Sequence, residues 1–313
     1  MDRIEALRQA LGDRARVQEP LSRYTTSRIG GPADLLVEAT SADDLRDLVI
    51  KARQHQAPIF ILGGGANVLV GDAGIRGLTI VNKARRFEFL DGGRVHAESG
   101  VILPTLAREC IARGLSGLEW AVGVQGTVGG AIVGNAGAHG RDMAGDVKQV
   151  WVLDASNSVQ VWPAEKMEFS YRSSRLKAAR RGEHVILEAE FELARGDRAE
   201  LERKAVEFNE YRRRTQPPGA SIGSMFKNPP GDAAGRLIDA AGLKGMRIGQ
   251  AEISTVHANF FVNLGGATAQ DVVALIDLAR QTAREKLGVA LELEVVLVGE
   301  WATDEQRMSN RSA

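Results

Sequence analysis

Nine of the 27 residues from Gly114 to Gly140 are glycine, and the stretch Trp120–Ala138 (WAVGVQGTVGGAIVGNAGA) carries no charge. Glycine inside a regular element costs about 0.5–1 kcal/mol relative to alanine. Such a density marks backbone that must approach something closely. A second cluster, Gly63-Gly64-Gly65-Ala66-Asn67, lies well upstream. Two glycine-rich turns in one chain point to a large, flat, phosphate-bearing ligand. The uncharged run has near-spanning length, but six glycines with Gln125, Thr127 and Asn135 leave it too little apolar content for a membrane helix.

A chain of 313 residues suggests two domains, each with its own core. Forty basic and forty acidic residues cancel. That balance gives no global argument for nucleic acid or a membrane surface as partner. The single cysteine, Cys110, excludes an intrachain disulfide. It shares a helical stripe with Leu103, Leu106, Ala107 and Ile111 and reads as core packing. The first 30 residues are charged throughout, so no secretory signal is expected and the cytoplasm is the default location. The five histidines are scattered with no H-x-x-x-H pair, so no metal site is expected.

Asp34–Ala39 reads as a strand, and Ser41 opens a helix with Asp44 as capping-box partner. Leu45, Leu48, Val49 and Ala52 share one face of that helix, and Ile59–Leu62 is a short apolar strand running into the triple glycine. This is a β-α-β unit followed by a glycine turn. Strands are expected around Thr79–Asn82, Arg94–Glu98, Gln149–Leu153, Val159–Trp162 and Val185–Leu193, with a helix at Pro104–Arg113 stopped by Gly114. The segment through Gly140 is expected to be a loop. Beyond it come helices Ala199–Arg214, Gly235–Ala241 and Ala269–Leu287, and strands Asn259–Asn263 and Ala290–Val298. The boundary between two domains is placed at 198/199, and the polar tail from Thr303 is expected to fray.

No G-x-x-x-x-G-K-[ST] occurs, and neither glycine cluster satisfies G-x-G-x-x-G, because Val68 stands where the third glycine belongs. Phosphate can still bind to successive N–H groups of a glycine turn. Gly63–Val68 is a candidate for a pyrophosphate, and Gly129-Gly130 with Asn135-Ala136-Gly137 can let a planar ring lie against backbone. A tight strand-to-loop turn and a closely packed loop explain the same residues equally well.

Seven segments are more specific. They are TTSRIGGPAD (Thr25–Asp34), GGGANVLV (Gly63–Val70), GTVGGAIVGNAGAHG (Gly126–Gly140), YRSSRLK (Tyr171–Lys177), GSMFKNP (Gly223–Pro229), GLKGMRIGQAEISTVHANFFVN (Gly242–Asn263) and LELEVVLVGEW. In this order, from about Tyr24 to Val298, the chain resembles the UDP-N-acetylenolpyruvoylglucosamine reductase (MurB) family of peptidoglycan synthesis. The resemblance implies an α+β fold. A two-part FAD-binding domain of the vanillyl-alcohol-oxidase (PCMH) type spans 1–198, its lobes dividing near residue 80. A smaller α+β substrate-binding domain follows at 199–313. It implies non-covalent FAD, NADPH as co-substrate and a UDP-sugar substrate. The sequence does not settle the oligomeric state, for which a monomer is the default. Flavin passes hydride from NADPH to the enolpyruvyl group, giving UDP-N-acetylmuramate. FAD is expected on Gly63, Gly64, Gly65, Ala66, Asn67, Val68, Gly129, Gly130, Asn135, Ala136 and Gly137.

The resemblance gives catalytic roles to Arg172, Ser224 and Glu294. Hydride addition to a C=C bond conjugated to a carboxylate drives charge into that carboxylate, which needs donors and one proton. Arg172 offers a planar, permanently charged fork that matches a carboxylate. Ser224 can present a hydroxyl as proton donor. Glu294 alternates with Leu291, Leu293, Val295 and Leu297, so the strand pattern puts it on a face with Val296 and Val298. There its pKa is expected to rise. Asn228 and Lys227 resemble residues that hold the nucleotide, and Arg212, Arg213 and Arg214 can neutralise its phosphates or simply favour a helix C-terminus. His257 reads as structural.

Ser27 replaces a usual phenylalanine, Gln125 and Leu293 usual prolines, His139 a usual tyrosine, and Val296 a frequent arginine. These departures bear on affinity more than on reaction type. A flavin oxidase of the same fold and a flavin-binding module without turnover are the competing readings.

Overall fold

A computed structural model describes residues 2–179 and 181–301, so the polar tail from Thr303 lies outside the described residues. The chain folds as two compact units built from interleaved segments. The first comprises 1–16, 35–64 and 77–212, and the second 17–34, 65–76 and 213–313.

Besides two two-stranded ladders, the first unit holds two larger sheets and two cores. Its larger sheet is antiparallel, in the order Val159–Pro163, Val147–Leu153, Val185–Glu192, Arg94–Glu98, Phe87–Phe89. One core packs around Trp120, Phe191 and helix Leu103–Ala112, and includes Cys110. Burial pushes the Cys110 thiol up to about 12, as expected of a cysteine used for packing. In the other sheet, strand Ile59–Leu62 pairs in parallel with Ile75–Asn82, not with the strand before its helix. The second core lies under helix Ala42–Gln54, whose buried side chains are Ala42, Leu45, Leu48, Val49 and Ala52.

Two expectations need correction here. Ser41 does cap its helix, accepting from Asp44 N at 3.1 Å. The Asp44 carboxylate, however, returns to Thr40 N at 2.9 Å and to Arg14, so the reciprocal bond misses the cap residue. The glycine-rich segment is also not all loop. Val128–Gly134 is a helix, with the Thr127 side chain accepting from Gly130 N and Asn135 closing it in the left-handed region at φ 42°. Glycine at 129 permits that helix to lie where a Cβ would stand 2.8 Å from Ser99 Cβ.

In the second unit a four-stranded antiparallel sheet runs Ala220–Ser224, Phe260–Asn263, Ala251–Ile253, Arg247–Ile248. Helices Ala234–Ala240 and Ala269–Leu287 close its core around Phe226 and Phe261. The long helix starts at a capping box of Thr268 and Asp271 and ends at Gly288, φ 69°. Asp72, from the short middle segment, accepts from Ala269 N and Gln270 N at that helix's start. Strand Val68–Val70 pairs in parallel with Val296–Val298.

The expected strand Ala290–Val298 is regular only at Val296–Val298. Leu291 and Val295 are buried while Leu293 is half-buried, so strict alternation fails. The cause is irregular pairing. Leu293 makes an isolated bridge with Phe226, and Glu294 N and Val295 N both reach the Met225 carbonyl.

One buried acid in the first unit gives a pH signature. Asp146 accepts from Arg141 Nη2 at 2.7 Å and Trp120 Nε1 at 3.4 Å. Burial pushes its pKa from 3.8 up to about 6, against the pull of Arg141 and Trp120. A carboxyl held above its unfolded value stabilises the fold fully below that value, and the contribution is lost as pH rises through the folded pKa. At 1.36 kcal/mol per unit, the loss between pH 3.8 and about 6 is about 3 kcal/mol. Tryptophan emission is expected to titrate near pH 6 in the native protein and to lose that step in Asp146→Asn. An unchanged titration in the variant would refute the assignment.

Candidate functional site

In the first unit the two glycine clusters meet. A Cβ on Gly63 would stand 2.4 Å from Thr127 Oγ1, and one on Gly64 would stand 2.8 Å from Gly126 Cα. The amides of Gly63 and Gly64 find no backbone acceptor among the described residues. Gly129 N is used by Ser99 O at 2.8 Å and Ala136 N by Ala131 O at 2.8 Å. A Cβ on Gly137 would meet Arg141 O at 2.5 Å. Asn135 is 2% exposed, and its carboxamide is committed to protein. It donates to Asp142 Oδ2 at 3.0 Å and Ser170 O at 2.9 Å, and accepts from Ala144 N at 3.1 Å. Thus Asn135 shapes this region by bracing it, and part of the glycine content serves close packing of loop on loop.

Arg172 sits in the same unit. Ser170 and Ser173 exchange both backbone hydrogen bonds at 3.0 Å, leaving Tyr171 and Arg172 as the centre of a tight turn. Arg172 has φ 57°, a region that side chains bearing a Cβ avoid. Its Nη2 donates to Gly137 O at 2.8 Å, and the guanidinium lies 5.1 Å from the Tyr171 ring centroid. His139, φ 53°, stacks on Phe208 with centroids 3.9 Å apart, so the ring that replaces a usual tyrosine keeps an aromatic role. Burial, then Arg212, lowers the His139 pKa. The Arg212 stem passes where a Gly123 Cβ would lie, and burial lowers the Arg212 pKa as well. Arg213 and Arg214 are exposed.

The second unit gathers Asn67, Ser224 and Glu294. The amides of Gly65, Ala66 and Asn67 also find no backbone acceptor among the described residues. Gly65 has φ 63°, and a Cβ there would stand 2.1 Å from Tyr24 O. Thr26 bonds this turn through Gly65 O at 3.1 Å and reaches Ser221 O at 2.7 Å through its hydroxyl. Asn67 Nδ2 donates to Glu294 O at 3.2 Å, and Val296 N donates to Asn67 O at 3.1 Å. Val68 pairs directly with Val296. Ser27, 1% exposed, is a buried turn residue whose carbonyl accepts from Asn263 Nδ2 at 2.9 Å.

Ser224 ends the strand Ala220–Ser224, opposite Phe260. Its side chain is half-buried, and no hydrogen bond engages its hydroxyl among the described residues. Glu294 is half-buried and hangs on Met225 O through its amide at 2.9 Å. It is therefore placed beside the Ser224 strand end by main-chain bonds, not by an alternating strand face. Lys227 pairs its ammonium with the Glu292 carboxylate, and Asn228 Oδ1 accepts from Ala234 N at 3.0 Å. Both nucleotide candidates thus have structural partners. His257 accepts from Asn259 N through Nδ1 at 3.2 Å and packs on Phe260, in keeping with a structural role.

The sequence reading missed Asn259. It is 3% exposed, and its carboxamide grips Phe226 at both main-chain groups, with N to Oδ1 and Nδ2 to O each at 2.8 Å. Its own carbonyl accepts from Met225 N at 2.8 Å. The signal was a buried amide between apolar residues in HANFF, which composition cannot separate from a loop asparagine.

Comparison with known proteins fits this arrangement. Residues 33–160 match the model of an FAD-binding domain, and residues 215–298 match that of the C-terminal domain of UDP-N-acetylenolpyruvoylglucosamine reductase. The fold is that of an FAD-containing oxidoreductase. A UDP-N-acetylenolpyruvoylglucosamine reductase of Rubrobacter xylanophilus is 48% identical over 296 residues, covering 93% of this chain and 98% of that protein. One from Caldanaerobacter subterraneus is 42% identical, covering 91% and 93%. The crystal structure of the Thermus caldophilus reductase matches with a TM-score of 0.77 and 36% identity, over 90% of this chain and 99% of that one. The chain belongs to the UDP-N-acetylenolpyruvoylglucosamine reductase (MurB) family. Among the described residues, no helix is long and apolar enough to cross a membrane.

Removing the Asn259 carboxamide leaves the buried amide and carbonyl of Phe226 unpaired. Asn259→Ala is expected to lose about 1–3 kcal/mol of stability, read as a lower urea midpoint at unchanged slope. A midpoint equal to that of the native protein would show that the grip carries no weight.

Proposed function

We propose that this chain reduces the enolpyruvyl double bond of UDP-N-acetylenolpyruvoylglucosamine to give UDP-N-acetylmuramate, with NADPH as electron source, in the cytoplasm. The observation that carries this reading is the 48% identity across 93% of the chain to a protein bearing that activity as its name. The overall change adds a hydride and a proton across C=C and turns NADPH into NADP⁺. When bound, FAD supplies the hydride relay between nicotinamide and the terminal enolpyruvyl carbon.

The residues present suit that cofactor. The unclaimed amides of Gly63 and Gly64, and those of Gly65, Ala66 and Asn67, are the donor set a pyrophosphate needs. Val68, Gly129, Gly130, Ala136 and Gly137 are assigned to the same cofactor. Asn135 contributes through its bracing role. The missing side chains at 63 and 64 keep those turns compact.

The remaining roles fall to side chains. Arg172 binds the substrate carboxylate and meets the negative charge that grows there. Ser224 gives its hydroxyl proton to the carbon next to that carboxylate, and a hydroxyl with no engagement among the described residues is suited to turn toward substrate. Glu294, in its protonated form, donates a second hydrogen bond to the same carboxylate. Lys227 and Asn228 meet the nucleotide, each giving up or sharing its present partner.

Anaerobic stopped-flow absorbance separates the two halves of this reaction. NADPH is expected to bleach the flavin, and the enolpyruvyl nucleotide to restore its colour. Ser224→Ala should leave the bleaching intact and slow the recovery by at least about 100-fold. Native protein that fails to recover on addition of the enolpyruvyl nucleotide would refute the activity. Equal slowing of both halves would refute the proton-donor role alone.

A further inference from the structure

We propose that Lys177 is a positioning residue for Arg172, and that it acts by holding the Tyr171–Arg172 turn in its left-handed form. This rests on the reading that Arg172 binds the substrate carboxylate.

Arg172 occupies φ 57°, where the Cβ of an ordinary residue crowds its own carbonyl. A non-glycine residue persists there only when its surroundings over-determine the backbone, and such positions concentrate at functional sites. The surroundings of this turn are specific. Its base is closed by the paired Ser170 and Ser173 hydrogen bonds. Its entry is fixed by Asn135 Nδ2 on Ser170 O at 2.9 Å. Its exit is fixed by Ser174, 3% exposed, whose hydroxyl donates to Val133 O at 2.7 Å.

Lys177 supplies the contact at the strained residue itself. Its Nζ donates to Arg172 O at 2.8 Å, a charge-assisted bond to the peptide carbonyl of the left-handed residue. Its amide donates to Ser174 O at 3.0 Å, so the lysine is anchored on the short helix Arg175–Ala178 that directly follows the turn. Ammonium and guanidinium therefore have different tasks. Lys177 fixes the main chain of Arg172, and Arg172 Nη2, resting on Gly137 O at 2.8 Å, keeps its fork in one place. A fork that must meet a planar carboxylate loses about 100-fold for a displacement of about 1 Å. A loosened turn is enough to produce a part of that displacement.

The test uses holoenzyme and the two half-reactions, with Lys177→Met, Lys177→Arg, Arg172→Ala and the Lys177→Met/Arg172→Ala double variant. Lys177→Met should bleach with NADPH at the native rate and recover with the enolpyruvyl nucleotide about 10-fold more slowly. Lys177→Arg, which keeps a charged donor, should regain most of the lost rate. In the Arg172→Ala background Lys177→Met should add less than about a 2-fold effect, because its target is gone. Native recovery in Lys177→Met beside slow recovery in Arg172→Ala would overturn the positioning role and leave the role of Arg172 standing. The same holds for a full additional loss in the double variant. Native recovery in Arg172→Ala would overturn the role of Arg172 itself, and the positioning role with it.

A second measurement does not need turnover. Arg172→Gly should melt at a higher temperature than Arg172→Ala, because glycine carries no Cβ penalty in a left-handed turn. Equal melting temperatures would show that the turn is not under this constraint, and would overturn the proposal even if Lys177→Met failed to retain flavin.

Discussion

Glycine backbone pressed against its neighbours, with no room for a Cβ, is the contact on which the first unit turns. Gly63 and Gly64 lie against Thr127 and Gly126, and Gly129 lies against Ser99. Each contact requires that one partner lack a Cβ. With the turns pressed together, the helix Val128–Gly134 starts at Thr127 and ends at Asn135. Asn135 then passes the constraint on, because its carboxamide ties that helix end to Asp142 and to Ser170. The turn that carries Arg172 begins at Ser170. A chain of short polar contacts thus runs from the glycine turns to a charged side chain far away in sequence.

The second unit uses a different device for a similar end. Its central point is Met225, whose amide is held by Asn259 and whose carbonyl takes the amides of Glu294 and Val295. The residue before Met225 is Ser224, so the main chain on one side of the hydroxyl is immobilised while the hydroxyl itself is left uncommitted among the described residues. Rigid main chain with an unengaged polar tip is what a proton donor requires, because reorganisation at the moment of reaction is then small.

Elements with a local cause were legible in the sequence. Helix Ala269–Leu287 was readable to the residue, since Thr268, Asp271 and Gly288 mark both ends chemically. Strand Ile59–Leu62 was readable because an apolar run stops at glycine. The helix Val128–Gly134 was hidden because three of its seven residues are glycine, and its stability comes from packing on Ser99 and from the two caps. The segment before Val296 was misjudged because alternation assumes a continuous partner strand, whereas Met225 and Phe226 offer only a broken one. The candidate residues Arg172, Ser224 and Glu294 came from family motifs. Nothing in composition could reveal the left-handed backbone at Arg172 or the grip of Asn259, since both depend on segments distant in sequence.

The second unit is stitched from three stretches of chain, 17–34, 65–76 and 213 onward. Leu69 and Ile29 belong to its core, and Asp72 satisfies the start of its long helix. During synthesis those early residues emerge long before their partners. Residues 77–212 must be made in between, a wait on the order of ten seconds at about 5–20 residues per second. The first unit can therefore collapse while two segments of the second still hang open, with Ile29 and Leu69 uncovered. The order of manufacture makes the C-terminal third the piece that covers those early segments and completes the second unit.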